Sequence, residues 1–260
     1  MKKIKWLNIK GVILDMDGVV YRGDTAIKSA IKSINIWKNK NIKICFLTNN
    51  STKNQYGFSK KLSLMGINVN KQSIITTSLF AADYLEKNYK KNNRVYVVGS
   101  SSLKDIIYKR GFIRDDENAS IVIVGLDEKF TYKKLKLASE LLRKGAKLIA
   151  TNSDKLYPIY KGFKPGAGSI VQFIRSASNN VNCLFLGKPN PLFVNKAINY
   201  LNLDKSEVLL IGDQLETDIL GANKAQIPSV LVTTGIKNIN KKIKPTFIIN
   251  SLLELPISRK

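Results

Sequence analysis

Short apolar runs recur along the chain at residues 12–14, 42–47, 74–75, 95–98, 121–124, 148–150, 183–186, 208–211 and 230–232. Most are continuous rather than alternating, the pattern of strands buried on both faces. Between the first two runs, Ile27, Ala30, Ile31, Ile34 and Trp37 follow the spacing of an amphipathic helix. Leu135, Ala138, Leu141 and Leu142 mark another, with Thr131 as its N-cap and Gly145 as its stop. This alternation predicts an α/β fold, a doubly wound parallel sheet covered by helices on both faces. The runs exceed what one small sheet of this kind requires. They divide into a core built from both chain ends, residues 1–78 and 183–260, and an inserted α/β domain, residues 79–182.

Polar residues gather behind particular runs. Asp15 and Asp17, in Asp15-Met16-Asp17-Gly18-Val19, leave the end of the first predicted strand. In an open α/β sheet that edge forms the ligand crevice. Two acids spaced i, i+2 can share a site, one attacking an electrophile or holding a cation while the other moves a proton. A turn of D-x-D-G chemistry explains an isolated pair equally well. Thr48-Asn49-Asn50-Ser51 follows the second run, as a phosphate cradle or as a turn and N-cap. Lys188, in Leu186-Gly187-Lys188-Pro189-Asn190-Pro191, would aim an ammonium at the same crevice, although a lone lysine is ordinarily solvated. Asp213 follows the run at 208–211, and Asp218 lies in the next turn. Asp15, Asp213 and Asp218 are the oxygen donors that Mg²⁺ favours. An acid such as Asp218 early in a helix also complements the dipole. Each fragment is ambiguous alone. Their shared position at strand ends points to one site.

Composition narrows the chemistry. The 260 residues contain no histidine, which excludes imidazole bases, Ser-His-Asp triads and His-bound zinc. The net charge of +24 comes from 43 Lys+Arg against 19 Asp+Glu. Lysine dominates and is scattered, with no basic stripe and no nucleic-acid motif, so compositional bias explains it better than a phosphate-reading surface. No nucleic-acid partner is expected. A mean hydropathy of −0.11 and the absence of a membrane-length apolar run imply a soluble protein with no membrane partner. Met1-Lys2-Lys3-Ile4-Lys5 resembles the start of a signal peptide, but Asn8, Lys10 and Asp15 interrupt any apolar stretch, so no export signal is expected. Cys45 and Cys183 lie in apolar runs, as reduced thiols of a cytoplasmic protein would.

Taken together, these motifs resemble the haloacid dehalogenase superfamily of aspartate-nucleophile phosphatases. Asp15-Met16-Asp17-Gly18-Val19, Thr48, Lys188, and Gly212-Asp213 through Asp218 match its motifs in order. The likeness narrows to the nitrophenyl-phosphatase and phosphoglycolate-phosphatase branch, which carries a large α/β cap. It does so through Leu47-Thr48-Asn49-Asn50-Ser51-Thr52, Gly125-Leu126-Asp127, Ala150-Thr151-Asn152-Ser153-Asp154 and Lys164-Pro165-Gly166-Ala167-Gly168-Ser169. The sequence departs from the pattern at Lys53, where arginine is expected, and at Ser153, where proline is usual. Gln226 stands where a helix-ending glycine lies, in a turn that needs positive φ.

The resemblance implies a haloacid dehalogenase-like core with an α/β cap, and hydrolysis of small phosphorylated metabolites through an aspartyl-phosphate. Asp15 would be the nucleophile and Asp17 the acid and base. Thr48, the Asn49 backbone and Lys188 would hold the phosphoryl group. Mg²⁺ would lie on the Asp15 and Asp213 carboxylates and the Asp17 carbonyl, with Asp218 as a further or water-mediated ligand. Thr151 and Asn152 could touch substrate or cap the next segment, the local role being favoured; Gly166 and Gly168 are read as backbone devices, and the inserted segment as the seat of specificity. An edge of the cap sheet offers a surface for a homodimer. A phosphomutase of the same superfamily and a non-catalytic phosphometabolite-binding regulator are the alternatives, the latter expected to lack one of the four charged motif residues that this chain retains.

Overall fold

The computed structural model describes residues 8–159, 162–235 and 242–257; residues 1–5, read above for an export signal, lie outside them. Six parallel strands form the first sheet, in the order Phe247–Ile249, Ser229–Val232, Val208–Gly212, Gly11–Leu14, Lys43–Thr48, Ile74–Thr76. The first strand in sequence is central. Its successors spread to one side and the late strands to the other, so the order reverses between Gly11–Leu14 and Val208–Gly212. Such a reversal opens a crevice at the carboxyl ends of the two strands.

The continuous runs are explained by what covers them. Val12, Leu14, Phe46 and Ile211 face the helices Lys28–Asn39 and Gln55–Leu64, packing with Ala30, Ile34, Trp37, Phe58 and Leu62. Ile13, Cys45, Leu47 and Leu210 face the helix Pro191–Leu201 through Phe193, Val194, Ala197 and Ile198. With helices on both sides, no strand position needs to be polar.

A second sheet of five parallel strands runs Cys183–Phe185, Lys147–Ala150, Ile121–Val124, Arg94–Val98, Ile113–Arg114. The boundary expected at residue 183 assigned Cys183–Phe185 to the core. It pairs instead with Lys147–Ala150, so the chain leaves this sheet only after Phe185. An apolar run encodes burial but not which sheet it joins. Short strands at Ile113–Arg114 and Phe247–Ile249 and the antiparallel pair Leu156–Pro158 with Phe163–Pro165 were not apparent from the pattern, because most of them carry exposed or polar positions.

Local signals behave as their chemistry dictates. Thr131 caps the helix Tyr132–Arg143 by accepting from the Lys134 N–H, and Gly145 follows it at φ 98°. Gln226 ends the helix Leu220–Ala225 at φ 62°, the left-handed conformation that its usual glycine would adopt without strain. Among the described residues no helix is long and apolar enough to cross a membrane.

The second sheet also reverses order, between Arg94–Val98 and Ile121–Val124. Its crevice is filled by the core. Ser100 Oγ donates to the Ser51 carbonyl at 2.8 Å, and Ser51 Oγ accepts from the Leu126 N–H at 3.3 Å. A Cβ on Gly125 would lie 2.8 Å from Ser51 Oγ, so a side chain there would press on this contact. The loop after Lys43–Thr48 therefore serves two crevices: its start faces the core site and Ser51 docks the insert.

Candidate active site

The first strand's ladder extends one residue further, with the Asp15 N–H donating to the Ile211 carbonyl at 2.9 Å. This delivers Asp15 to the point of strand reversal, beside the end of Val208–Gly212. A tight turn follows, in which the amides of Val20 and Tyr21 both donate to the Met16 carbonyl and Gly18 takes φ 86°. Gly18 also lies against Asp213, where a Cβ would come 2.4 Å from Oδ2. Gly235 approaches the same carboxylate more closely still. Asp213 is thus wrapped by backbone that carries no side chains, fully buried and fixed in direction.

Lys188 reaches the crevice from the segment before the helix Pro191–Leu201. Its Nζ donates to Asp15 Oδ1 at 2.7 Å and to Asp218 Oδ1 at 2.6 Å, with all three residues buried. The other Asp218 oxygen accepts from the Gln214 N–H at 3.2 Å. Asp218 lies in a π-helical stretch, Leu215–Ile219, a local widening common at functional sites. Oxygens of Asp15, Asp213 and Asp218 lie within 4.8 Å of one another. Three buried carboxylates around one ammonium leave excess negative charge, which a divalent cation with oxygen preference would balance.

The electrostatics follow from burial and crowding. Burial pushes the Asp15 carboxyl well above the usual carboxylate range; Lys188 opposes this, while Asp218 and Asp213 add to it. For Lys188 burial works against the ammonium, but the charges of Asp15 and Asp218 prevail and hold it protonated. Burial also raises Asp17, against the pull of Lys61 and of a hydrogen bond from Asn50. A raised carboxyl is suited to carrying a proton.

Asn49 ties the loops together. Its Oδ1 accepts from the Lys188 N–H at 2.8 Å, and its Nδ2 donates to the Lys188 carbonyl and to Asp154 Oδ2. Its own carbonyl accepts from Thr77 Oγ1 at 2.8 Å. Thr48 is buried, and its Oγ1 accepts from the Asn50 N–H at 3.1 Å. Asp15, Asp17, Thr48, Asn49 and Lys188 line one cleft between the two sheets, roofed by Leu126, Leu156, Tyr157 and Ala167 of the insert.

The chain is similar over most of its length to known proteins. The family model for haloacid dehalogenase-like hydrolases matches residues 12–113, and a related hydrolase model of the same family matches residues 185–255. The acid sugar phosphatase of Staphylococcus saprophyticus is 37% identical over 253 residues, covering 95% of this chain and 97% of that protein. The chain belongs to the haloacid dehalogenase-like hydrolases. Among solved structures, the 4-nitrophenylphosphatase of Thermotoga maritima superposes with a TM-score of 0.88 at 33% identity, over 96% of this chain and 97% of the other. The glycerol phosphate phosphatase of Mycobacterium tuberculosis, in complex with magnesium, gives 0.87 at 27% identity, over 99% of this chain and 80% of the other. The chain is accordingly a phosphoric monoester hydrolase of this family.

Within this haloacid dehalogenase-like site, Asp15, Lys188 and Asp218 are in direct contact, with Asp213 alongside; Asp17, Thr48 and Asn49 line the same cleft. Asn152, favoured above as a local cap, also faces it. Asn152 bonds locally, its Oδ1 accepting from Thr151 Oγ1, yet it lines the cleft and donates to Asp154 Oδ2 at 2.7 Å. Asp154 follows the strand Lys147–Ala150, and the rule that functional loops follow parallel strands, applied to the insert as well as to the core, would have found it. Gly166 and Gly168 are indeed backbone devices. Cβ atoms there would lie 2.3 Å from the Asp154 carbonyl and 2.1 Å from that of Ser153.

Proposed function

We propose that the protein is a cytoplasmic, Mg²⁺-dependent phosphatase of small phosphorylated metabolites, sugar phosphates among them, acting through an aspartyl-phosphate at Asp15. The observation that carries this reading is the meeting of Asp15, Asp213, Asp218 and Lys188 at the strand-reversal crevice, under a roof supplied by the insert.

Asp15 attacks the substrate phosphorus and takes the phosphoryl group on its carboxylate oxygen. Asp17 gives its proton to the departing alcohol oxygen. The same residue, now a carboxylate, takes a proton from the water that cleaves the aspartyl-phosphate, restoring both groups. Thr48, the Asn49 backbone N–H and Lys188 hold the phosphoryl oxygens, and Asn49's side chain keeps Lys188's backbone in place. The Asp15, Asp213 and Asp218 carboxylates and the Asp17 carbonyl would hold Mg²⁺, whose charge offsets that of the phosphoryl group. The family membership and the carboxylate cluster support this assignment.

The core comprises the described residues up to 78 and those after Phe185, and the insert acts as a cap. Its apolar roof favours a small substrate that fits beneath it, with water excluded. Two cap copies paired along the sheet edge would form a homodimer.

A phosphate-release screen with Mg²⁺ over p-nitrophenyl phosphate, sugar phosphates, glycerol phosphate, phosphoglycolate and nucleotides tests the reading. Release from p-nitrophenyl phosphate and from at least one metabolite is expected, with free phosphate equal to substrate consumed. Phosphate retained on an isomeric product would indicate a mutase, and no turnover of any monoester would overturn the proposal.

A further inference from the structure

The turn behind Gly11–Leu14 folds Tyr21 back onto Asp17. The Gly18 N–H donates to the Tyr21 carbonyl at 2.8 Å, and Asp17 and Tyr21 pair in a β-bridge. Tyr21 is fully buried, and its hydroxyl donates to Asp17 Oδ2 at 3.5 Å, with no other partner among the described residues. That length suits a catalytic group, whose hydrogen bonds often tighten only once substrate is bound. Lys61 pins the ring. Its Nζ lies 3.9 Å from the ring centroid and donates to the Gly23 carbonyl at 2.7 Å.

A second side chain meets Asp17 from the loop after Lys43–Thr48. Asn50 Oδ1 accepts from the Thr52 N–H at 2.9 Å and from Thr52 Oγ1 at 2.7 Å. With both lone pairs of its oxygen taken, the amide presents Nδ2, which donates to the Asp17 carboxyl. The sense of this amide matters. Turned over, its oxygen would accept the Asp17 proton and compete with the leaving group for it. Held as it is, Nδ2 takes no proton, and that of Asp17 stays available to substrate.

We propose that Tyr21 and Asn50 are positioning residues for Asp17, two donors that hold its carboxyl towards the leaving-group oxygen, with Thr52 keeping Asn50 in the donating sense. The inference rests on the phosphatase reading above and deepens it by assigning how the proton carrier is aimed. Aim is consequential, since a misplacement of about 1 Å at a reacting group can cost about 10²-fold in rate. It matters most where the proton is most needed. An alkoxide leaves only with a proton in hand, whereas p-nitrophenolate is stable enough to leave as the anion.

The test compares wild type with Tyr21→Phe and Asn50→Ala in the full chain, with p-nitrophenyl phosphate and the alkyl monoester that wild type hydrolyses best. Tyr21→Phe keeps the ring against Lys61 and removes only the hydroxyl. The readout is kcat/KM, which counts the steps up to release of the alcohol and is blind to the later role of Asp17 as base. For the alkyl monoester it should fall at least about tenfold, part of the 10²–10⁴-fold that a general acid supplies. For p-nitrophenyl phosphate it should fall less than about threefold, because that leaving group asks little of the acid. An equal fall for both substrates marks a merely structural role and overturns the assignment, as does no change for either. If neither variant folds, Thr52→Val decides. It leaves Asp17, Tyr21 and Asn50 in place and loosens only the amide, so the ratio of the two kcat/KM values should shift in the same direction; an unmoved ratio overturns the proposal. Wild-type turnover of p-nitrophenyl phosphate stands or falls with the phosphatase reading and persists when only the positioning role fails.

Discussion

Replacing Lys188 with methionine keeps an apolar stem in a site only 3% exposed and removes the ammonium that bridges Asp15 and Asp218. Breaking a buried ion pair from one side costs about 3–5 kcal/mol, because the remaining charge loses its partner. Here two carboxylates remain, and uptake of a proton between them brings the loss towards the lower end, about 3 kcal/mol. For a protein of this size that corresponds to a Tm lowered by about 6–12 °C. The substitution also withdraws a positive donor from the phosphoryl oxygens, worth about 10²–10³-fold in turnover. Mg²⁺ and the ammonium neutralise the same carboxylates. Saturating Mg²⁺ should therefore raise the Tm of the variant more than that of wild type. Thermal unfolding with and without Mg²⁺, alongside p-nitrophenyl phosphate hydrolysis, measures all three effects. A metal-free Tm within about 2 °C of wild type, together with turnover within a factor of about ten, would refute the reasoning.

Chelation should abolish turnover and lower Tm, and Mg²⁺ should restore both. Excess Ca²⁺ should restore Tm but inhibit, since its looser coordination can occupy both Asp15 oxygens; full activity without metal would contradict the ligand assignment. Ser51→Ala removes the acceptor for the Leu126 N–H across the two domains, an expected loss of about 1–3 kcal/mol by denaturant unfolding, and an unchanged midpoint would show that this contact holds nothing. Cys45 is fully buried and burial raises its thiol, so at neutral pH it should not react with a thiol reagent until denaturant is added, whereas the part-exposed Cys183 should label first. Fast labelling of Cys45 in the native protein would contradict its placement.

The sequence makes the core site legible for a specific reason. Asp15, Thr48 and Asp213 each follow a run whose continuity marks a strand buried on both faces, and parallel strands put such residues on one edge; Lys188 follows a part-exposed strand of the second sheet and reaches that edge as the chain returns to the core. Asp218 was the ambiguous member, because an acid in a first turn satisfies the dipole; its role became visible only as a 2.6 Å contact with Lys188, which no spacing encodes. The insert was harder to read. Cys183–Phe185 has the apolar content of a core strand, and only its pairing with Lys147–Ala150 assigns it to the second sheet. Asp154 and Asn152 look like turn residues in sequence and acquire a ligand-facing position from the docking of one domain on the other. That docking is itself written in small residues, Ser51, Ser100 and Gly125, whose importance lies in what they leave room for.

Asp15 as the nucleophile is tested most directly by the turnover of Asp15→Asn. Asparagine matches the volume of the carboxylate, so the variant should fold, with circular dichroism and a cooperative unfolding transition as checks. Its amide is a far poorer nucleophile and a weaker metal ligand. With Mg²⁺ and p-nitrophenyl phosphate, turnover should fall to background and no acid-stable phosphate label should remain on the chain. Wild type quenched in acid during turnover should carry that label at Asp15. A folded Asp15→Asn enzyme that keeps near-normal turnover, or a wild-type label at another residue, would contradict the claim.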